Sequence, residues 1–284
     1  MNADERIAYI NYRLAKHLEA ISDKYEVVGV FLQGSQNYGL DIYEDDYKSD
    51  VDTKAIVLPS FEDVVYNRPP VSTTIVLDNN EHVDVKDVRV MFDNFKKQNT
   101  NFIEILFTPY RILNGKYYTL VQPIFDNAER IAHLDYNKAL SCIAGMSEQK
   151  FVALKHPYPT IVDKIKKFGY DPKQLHHIFR LNDFIKKYIN GIPYAECLIP
   201  DDKDYLIEIK KGEDPSHSPE QSDWAEISAN FTNADTYAIA NHAKDPNRKV
   251  DTGAIELLDK VKYELLKEHF KEELLWGNKE NVKN

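Results

Sequence analysis

Two short apolar runs flanking an acid-rich polar stretch constrain this chain more than anything else in it. Residues 26–32 (EVVGVFL) stop at Gly34, and residues 51–58 (VDTKAIVL) stop at Pro59. Both are brief, β-branched and ended by turn formers, which marks buried strands rather than helices. Between them lies GSQNYGLDIYEDDYKSD, so the chain leaves one strand through Gly34-Ser35 and enters the next through Ser49-Asp50-Val51-Asp52. Residues two apart on an extended strand share a face. The spacing therefore predicts Asp50 and Asp52 side by side, able to share a cation.

Ile7, Ile10, Leu14, Leu18 and Ile21 recur at three-to-four spacing and predict an amphipathic helix over 5–24. Residues 73–77 (TTIVL) and 81–88 (EHVDVKDV) predict a hairpin across Asp78-Asn79-Asn80. Val83 and Val85 take one face of its second strand, and His82, Asp84 and Lys86 the other. One or two helices are expected over 89–107. From about residue 134 the strand signal fades, and 134–154, 175–189 and 254–276 carry the helical period. The expected class is α+β: a core over 1–130 with a mixed sheet and flanking helices, then a mostly helical C-terminal domain over 131–284. Residues 201–235 are polar without a clear period, and the end after Trp276 is expected to fray.

Hydrophobic residues make up 43% of the 284, enough for a core without disulfides. Cys142 and Cys197 form no CxxC pair and predict neither a zinc site nor a disulfide framework, so a reducing, cytoplasmic setting is expected. The N-terminus has early acids and no continuous apolar run, which predicts neither a signal peptide nor a membrane span. A formal charge of -10 argues against broad electrostatic binding to nucleic acid. A local basic cleft is compatible with it, since Lys164, Lys166, Lys167, Lys173, His176, His177, Arg180, Lys186 and Lys187 are concentrated in one segment.

Magnesium is usually held by one or two carboxylates together with substrate phosphates. Asp50 and Asp52, with Asp84 on a later strand, offer such a partial cage for magnesium or manganese. Two ions so held stabilise the attacking and leaving oxygens of an in-line displacement at phosphorus. The third carboxylate would position or deprotonate the attacking hydroxyl. Asp84 is preferred to Asp87 for this because it shares a face with His82 and Lys86. Gly34 lets backbone approach a phosphate, and Ser35 can donate hydrogen bonds to one. Asp-x-Asp pairs and Gly-Ser turns also occur in solvated loops; the ordered combination of strand, Gly-Ser, loop, Ser-Asp-x-Asp strand and later strand aspartate carries the reading.

The stretch VVGVFLQGSQNYGL followed by SDVDTKAIVLPS resembles the signature of the DNA polymerase beta superfamily, specifically the poorly characterised nucleotidyltransferases of bacteria and phages. Those proteins carry a GSxxYGL turn, an SD-x-D strand start and a later strand aspartate. The resemblance continues through HVDVKDVRVMFDNFKKQNTNFIEILF, where Asn101 and Glu104 match a motif around a helix, and into FGYDPKQLHHIFRL, covering roughly residues 26–212. It implies a polymerase-beta-type core, magnesium dependence and transfer of a nucleoside monophosphate from a nucleoside triphosphate such as ATP. Residues 41–49 are longer than the family pattern; their acids Asp41, Glu44, Asp45 and Asp46 read as solvated or as a cover over the site.

In the helix expected from Pro172, Lys173, His177 and Arg180 share one stripe, while Leu175, Ile178 and Leu181 can face the core. The resemblance makes GYDPK and HxxR a second motif region. Lys173 and Arg180 are then expected to hold triphosphate oxygens and His177 to donate a hydrogen bond, so that the helical domain completes the nucleotide site. A solvated basic helix is the plain alternative. His82 and His176 read first as structural hydrogen-bonders, and Tyr38 and Tyr170 as candidates to stack on a base. The expected partners are a nucleoside triphosphate and a hydroxyl acceptor, which is a protein side chain, an RNA 3′ end or a small molecule. No membrane is expected, and the acidity disfavours duplex DNA. Two other classes stay open: a nucleotide-binding regulatory module without turnover, and a partner-binding antitoxin or inhibitor.

Overall fold

A computed structural model describes residues 2–44, 48–159, 161–212 and 221–280, so Asp45 and Asp46 of the acidic loop lie outside the described residues. The chain divides into two compact units: Met1–Gln36, Ser49–Leu134 and Val250–Asn284 form the first, and Asn37–Lys48 with Asp135–Lys249 form the second. The sequence predicts a single boundary, after residue 130; contacts change units near there, at residue 134, and also assign 37–48 to the second unit and 250–284 to the first. The C-terminal helix packs within the first unit, where Asp251, its cap through Ala254 N–H, accepts two hydrogen bonds from Arg130, at 2.6 and 2.7 Å.

The first unit is α+β. Its strands are β1 (Glu26–Gln33), β2 (Asp52–Leu58), β3 (Ser72–Val76), β4 (His82–Asp87) and β5 (Arg111–Leu113), in the order β3-β4-β2-β1-β5. β2 runs parallel to β4, and the other pairs are antiparallel, so the sheet is mixed as expected. Its helices are α1 (Ala3–Ser22), α2 (Phe61–Val65), α3 (Val88–Lys96), α4 (Thr100–Ile103), α5 (Tyr118–Asp126), α6 (Ala128–Ala132) and, at the chain's end, α13 (Thr252–Glu280). Ile21 of α1 packs with Val27, Val30, Ala55, Val57, Val83 and Val85 on one sheet face. On the other face Phe31 meets Phe125 of α5, and the Lys54 ammonium lies over the Phe102 ring of α4.

The second unit is helical. α7 (Tyr136–Ala153), α9 (Pro172–Ile189) and α12 (Gln221–Ala243) pack on one another, and α10 (Tyr194–Cys197) and α11 (Lys203–Lys211) pack on α9; α8 (Val162–Phe168) precedes α9. α12 fills much of the stretch that showed no clear period. No helix among the described residues is long and apolar enough to cross a membrane.

α1 starts with a reciprocal cap, in which Asn2 accepts from Glu5 N–H and the Glu5 carboxylate accepts from Asn2 N–H. Its buried stripe is Ile10, Leu14, His17 and Ile21, while Ile7 is 43% exposed. A histidine at an inward position demands partners. His17 Nε2 lies 2.9 Å from the Glu81 carboxylate and Nδ1 2.8 Å from Thr53 Oγ1. Glu81, only 3% exposed, also accepts from Arg13 Nε at 2.6 Å and Val51 N–H at 3.3 Å. Burial alone would raise its pKa, but hydrogen bonds from His17, Asn79 and Arg13 hold the carboxyl down at about 2.

A carboxyl whose folded pKa lies below its ordinary value of 4.5 stabilises the fold fully above that value, and the contribution is lost as pH falls through about 2. The urea midpoint of the wild type should therefore drop from pH 4.5 downward, and Glu81→Gln should lose roughly 3 kcal/mol at pH 7 and flatten that acid slope. In the second unit Gly212 caps α11 at φ +74°, and a Cβ there would run into the Phe168 ring. Gly212→Ala should cost about 1–3 kcal/mol in the same titration, since strain and a clash act together.

Candidate active site

The first unit brings the Gly-Ser turn and the Asp-x-Asp motif together. Gln33, the last residue of β1, pairs with Asp52, the first of β2, so Gly34-Ser35 continues past the same end of these central strands at which Asp50 and Asp52 stand. Gly34 has φ +82° with open space where a Cβ would be, so its conformation rather than crowding calls for glycine. Its N–H donates to the buried Glu104 at 3.4 Å. Glu104 thus anchors the turn, a role its place after α4 did not announce. Ser35 opens a short 3-10 turn whose Gln36 donates its amide to the Asp50 carbonyl at 3.4 Å and accepts at its own carbonyl from Arg6.

Strand pairing begins at Asp52, so Asp50 lies just outside β2 rather than on it. Val51, between them, is buried with Ile10, Leu14 and Leu32. Asp50 is exposed and Asp52 half-buried, as alternation about an inward Val51 requires. Val51 N–H is held by Glu81, and the Asp52 carboxylate accepts from His82 N–H at 2.9 Å with His82 Nδ1 at 3.1 Å. The dipeptide Glu81-His82 therefore braces the whole Asp50–Asp52 segment, Glu81 through the backbone of Val51 and His82 through the side chain of Asp52. The sequence assigns Glu81 no role; its place next to His82 at a strand start was the available signal.

Asp84 sits one register step away. The parallel pairing places Thr53 beside Val83 and Lys54 beside Asp84, so the residue level with Asp52 is His82. The Asp84 carboxylate is bound by Lys54 at 2.6 Å and Lys86 at 2.7 Å, with Thr74 Oγ1 at 3.3 Å. Although burial acts to raise the Asp84 carboxyl, those two ammonium groups hold it below its usual range. Lys54 is itself pushed down by burial, which outweighs the pull of Asp84. Asp87, the alternative third carboxylate, is 1% exposed on the opposite face; it caps α3 through Arg89 N–H and pairs with the Arg89 guanidinium at 2.6 Å.

Lys173, His177 and Arg180 lie on α9 in the second unit but do not share an exposed stripe. Lys173 is exposed, His177 half-buried, and Arg180 only 4% exposed, with its guanidinium 4.2 Å from the centre of the Tyr38 ring. The helix starts at Pro172, as the sequence predicts, and Asp171 caps it. Burial holds His177 well below its ordinary range, and holds His176, bonded to the Leu206 carbonyl at 2.9 Å, at about 3. Both rings stay neutral at physiological pH. Tyr38 and Tyr170 are buried, so neither offers an open face to a base.

Among the described residues no group of three or more His, Cys, Asp and Glu side chains could hold a metal ion. The protein's offering is the pair Asp50 and Asp52, which suits a cation such as magnesium that completes its shell with substrate phosphates and water. No family of known proteins, no curated protein and no solved structure matches the chain.

Proposed function

We propose that the protein is a metal-dependent nucleotidyltransferase that moves a nucleoside monophosphate from a nucleoside triphosphate to a hydroxyl acceptor. The observation that carries this reading is the meeting of the Gly34-Ser35 turn with Asp50 and Asp52 at one end of the two central strands, through the Gln33–Asp52 pairing and the Gln36–Asp50 hydrogen bond. The acceptor oxygen bonds to the α-phosphorus as the bond from that phosphorus to the bridging oxygen breaks. Pyrophosphate leaves, and the hydroxyl proton passes to a carboxylate or to solvent. Magnesium or manganese, held by Asp50 and Asp52, supplies charge neutralisation at the phosphates when bound. Gly34 and Ser35 present backbone and hydroxyl donors to the phosphate chain.

Asp84 enters this reading as the third carboxylate only by exchanging one of its two lysines for the reacting hydroxyl. Its double ion pair favours a second reading, a nucleotide-binding module without turnover. Purified protein with magnesium and each α-labelled nucleoside triphosphate, with and without cell lysate, should transfer label or release pyrophosphate, and Asp50→Ala/Asp52→Ala should abolish it. Magnesium-dependent nucleotide binding without turnover, absent in that variant, establishes the second reading; neither binding nor turnover sinks both.

Asp84→Asn separates the two roles of that carboxylate. If Asp84 is the third catalytic carboxylate, the substitution should cut turnover by about 100-fold or more. Turnover kept within a few-fold, with a lowered Tm, makes Asp84 a counter-charge for Lys54 and Lys86 alone.

A further inference from the structure

In the second unit, Lys164 and Lys167 of α8, Lys173 of α9, and Lys210 and Lys211 of α11 line one cavity of about 500 Å³. Of the three carboxylates on its wall, Glu44 and Asp171 are engaged and Asp163 is exposed to solvent. Glu44 pairs with Lys211, Asp163 lies 3.6 Å from Lys166, which does not line the cavity, and Asp171 is the cap of α9. Lys164, Lys167 and Lys173 make no ion pair with any described residue. Unneutralised ammonium groups have therefore been gathered into one concavity of a chain whose formal charge is -10.

Like charges brought together destabilise a fold unless a ligand uses them. The repulsion is visible in their neighbours. Lys150 of α7 is held below the usual lysine range by burial, then by Lys173 and Arg180, and the same cations help depress His176 and His177. The layout selects the ligand. The volume exceeds that of an inorganic phosphate, and the amines come from three helices as separate, mobile point charges, which suits successive phosphates along a strand better than one planar carboxylate. Phe168, whose ring packs on Gly212 with Lys167 Nζ 4.7 Å from its centre, adds an apolar wall for sugar or base.

We propose that this cavity is a binding site for single-stranded RNA, which on the nucleotidyltransferase reading makes the acceptor an RNA end. RNA binding here does not need the carboxylate site: a chain that binds RNA and transfers nothing loses the enzyme reading and keeps this one.

Fluorescence anisotropy of a labelled RNA hexamer against the full chain tests it, without magnesium or nucleoside triphosphate. Lys164→Glu/Lys167→Glu should weaken binding by about tenfold or more and flatten the dependence of log Kd on log salt by about 0.7 for each phosphate no longer neutralised. The charge-matched control Lys244→Glu/Lys249→Glu, at exposed positions outside the lining, should stay within about twofold; circular dichroism and Tm confirm that both variants fold. Equal weakening by the control, equal affinity for duplex DNA, binding of free ATP but not RNA, or preference for a polyglutamate peptide would each overturn the proposal.

Discussion

The buried carboxylate of Glu81 is the contact on which the first unit depends. A lone carboxylate in a protein interior costs several kcal/mol, so this one exists only because Arg13, His17 and Val51 N–H surround it. Each partner belongs to a different job. Arg13 and His17 fix α1 to the sheet, His17 reaches Thr53 inside β2, and Val51 N–H sets the backbone between the two candidate metal ligands. One buried charge thus couples helix docking to the geometry of Asp50 and Asp52. A purely apolar contact there would dock α1 as well, but it would leave the Val51 amide unsatisfied and the segment before β2 free to slide.

Beside its apolar contacts, the opposite sheet face carries a run of alternating charge along β2 and β4. Along it Asp52 stands beside His82 and Lys54 beside Asp84, with Lys86 one further step along. Parallel strands bring residues level one to one, so which side chain neighbours Asp52 is decided by register, and a shift of two would have set Asp84 there. The observed register instead gives Asp84 two ammonium partners and gives Asp52 a histidine. Those pairings explain how a nearly buried Lys54 is tolerated: it has a carboxylate at 2.6 Å and an aromatic face at 4.4 Å.

The stretch after the Gly-Ser turn belongs to the second unit, although both of its ends continue into the first. Tyr38 is buried under Arg180, the Leu40 carbonyl accepts from Lys210, and Glu44 pairs with Lys211. The described part is a structural piece of the helical unit, held by cations of α9 and α11. Gly39, at φ +69° with the Lys203 side chain where a Cβ would sit, is the position in it where glycine is required.

Local periodicity made most of this legible, and tertiary partnership made the rest invisible. Strands β1, β2 and β4, the 78–80 turn, α1 and the start of α9 at Pro172 could be read because apolar periodicity and turn formers act within a few positions of each other. The Gly34-Ser35 turn and Asp50-Asp52 could be linked because adjacent antiparallel strands with a chain connection between them meet at one end. Glu81 and His17 could not, and the motif match at Glu104 did not reveal its hold on Gly34. A buried polar residue looks like a surface residue in sequence, and its meaning comes from partners up to 70 positions away, as the Gly34–Glu104 contact shows. Arg180 was hidden in the same way. Its helical spacing predicts an outward place beside Lys173, but a guanidinium also packs flat on an aromatic ring, and Tyr38, 142 positions earlier, draws it inward. Where a helix carries both basic and aromatic-compatible faces, spacing alone does not decide which cations stay available to a ligand. The cavity residues Lys164 and Lys167 are available because the carboxylates near them are engaged elsewhere or exposed to solvent, a property of the folded neighbourhood rather than of the helix that carries them.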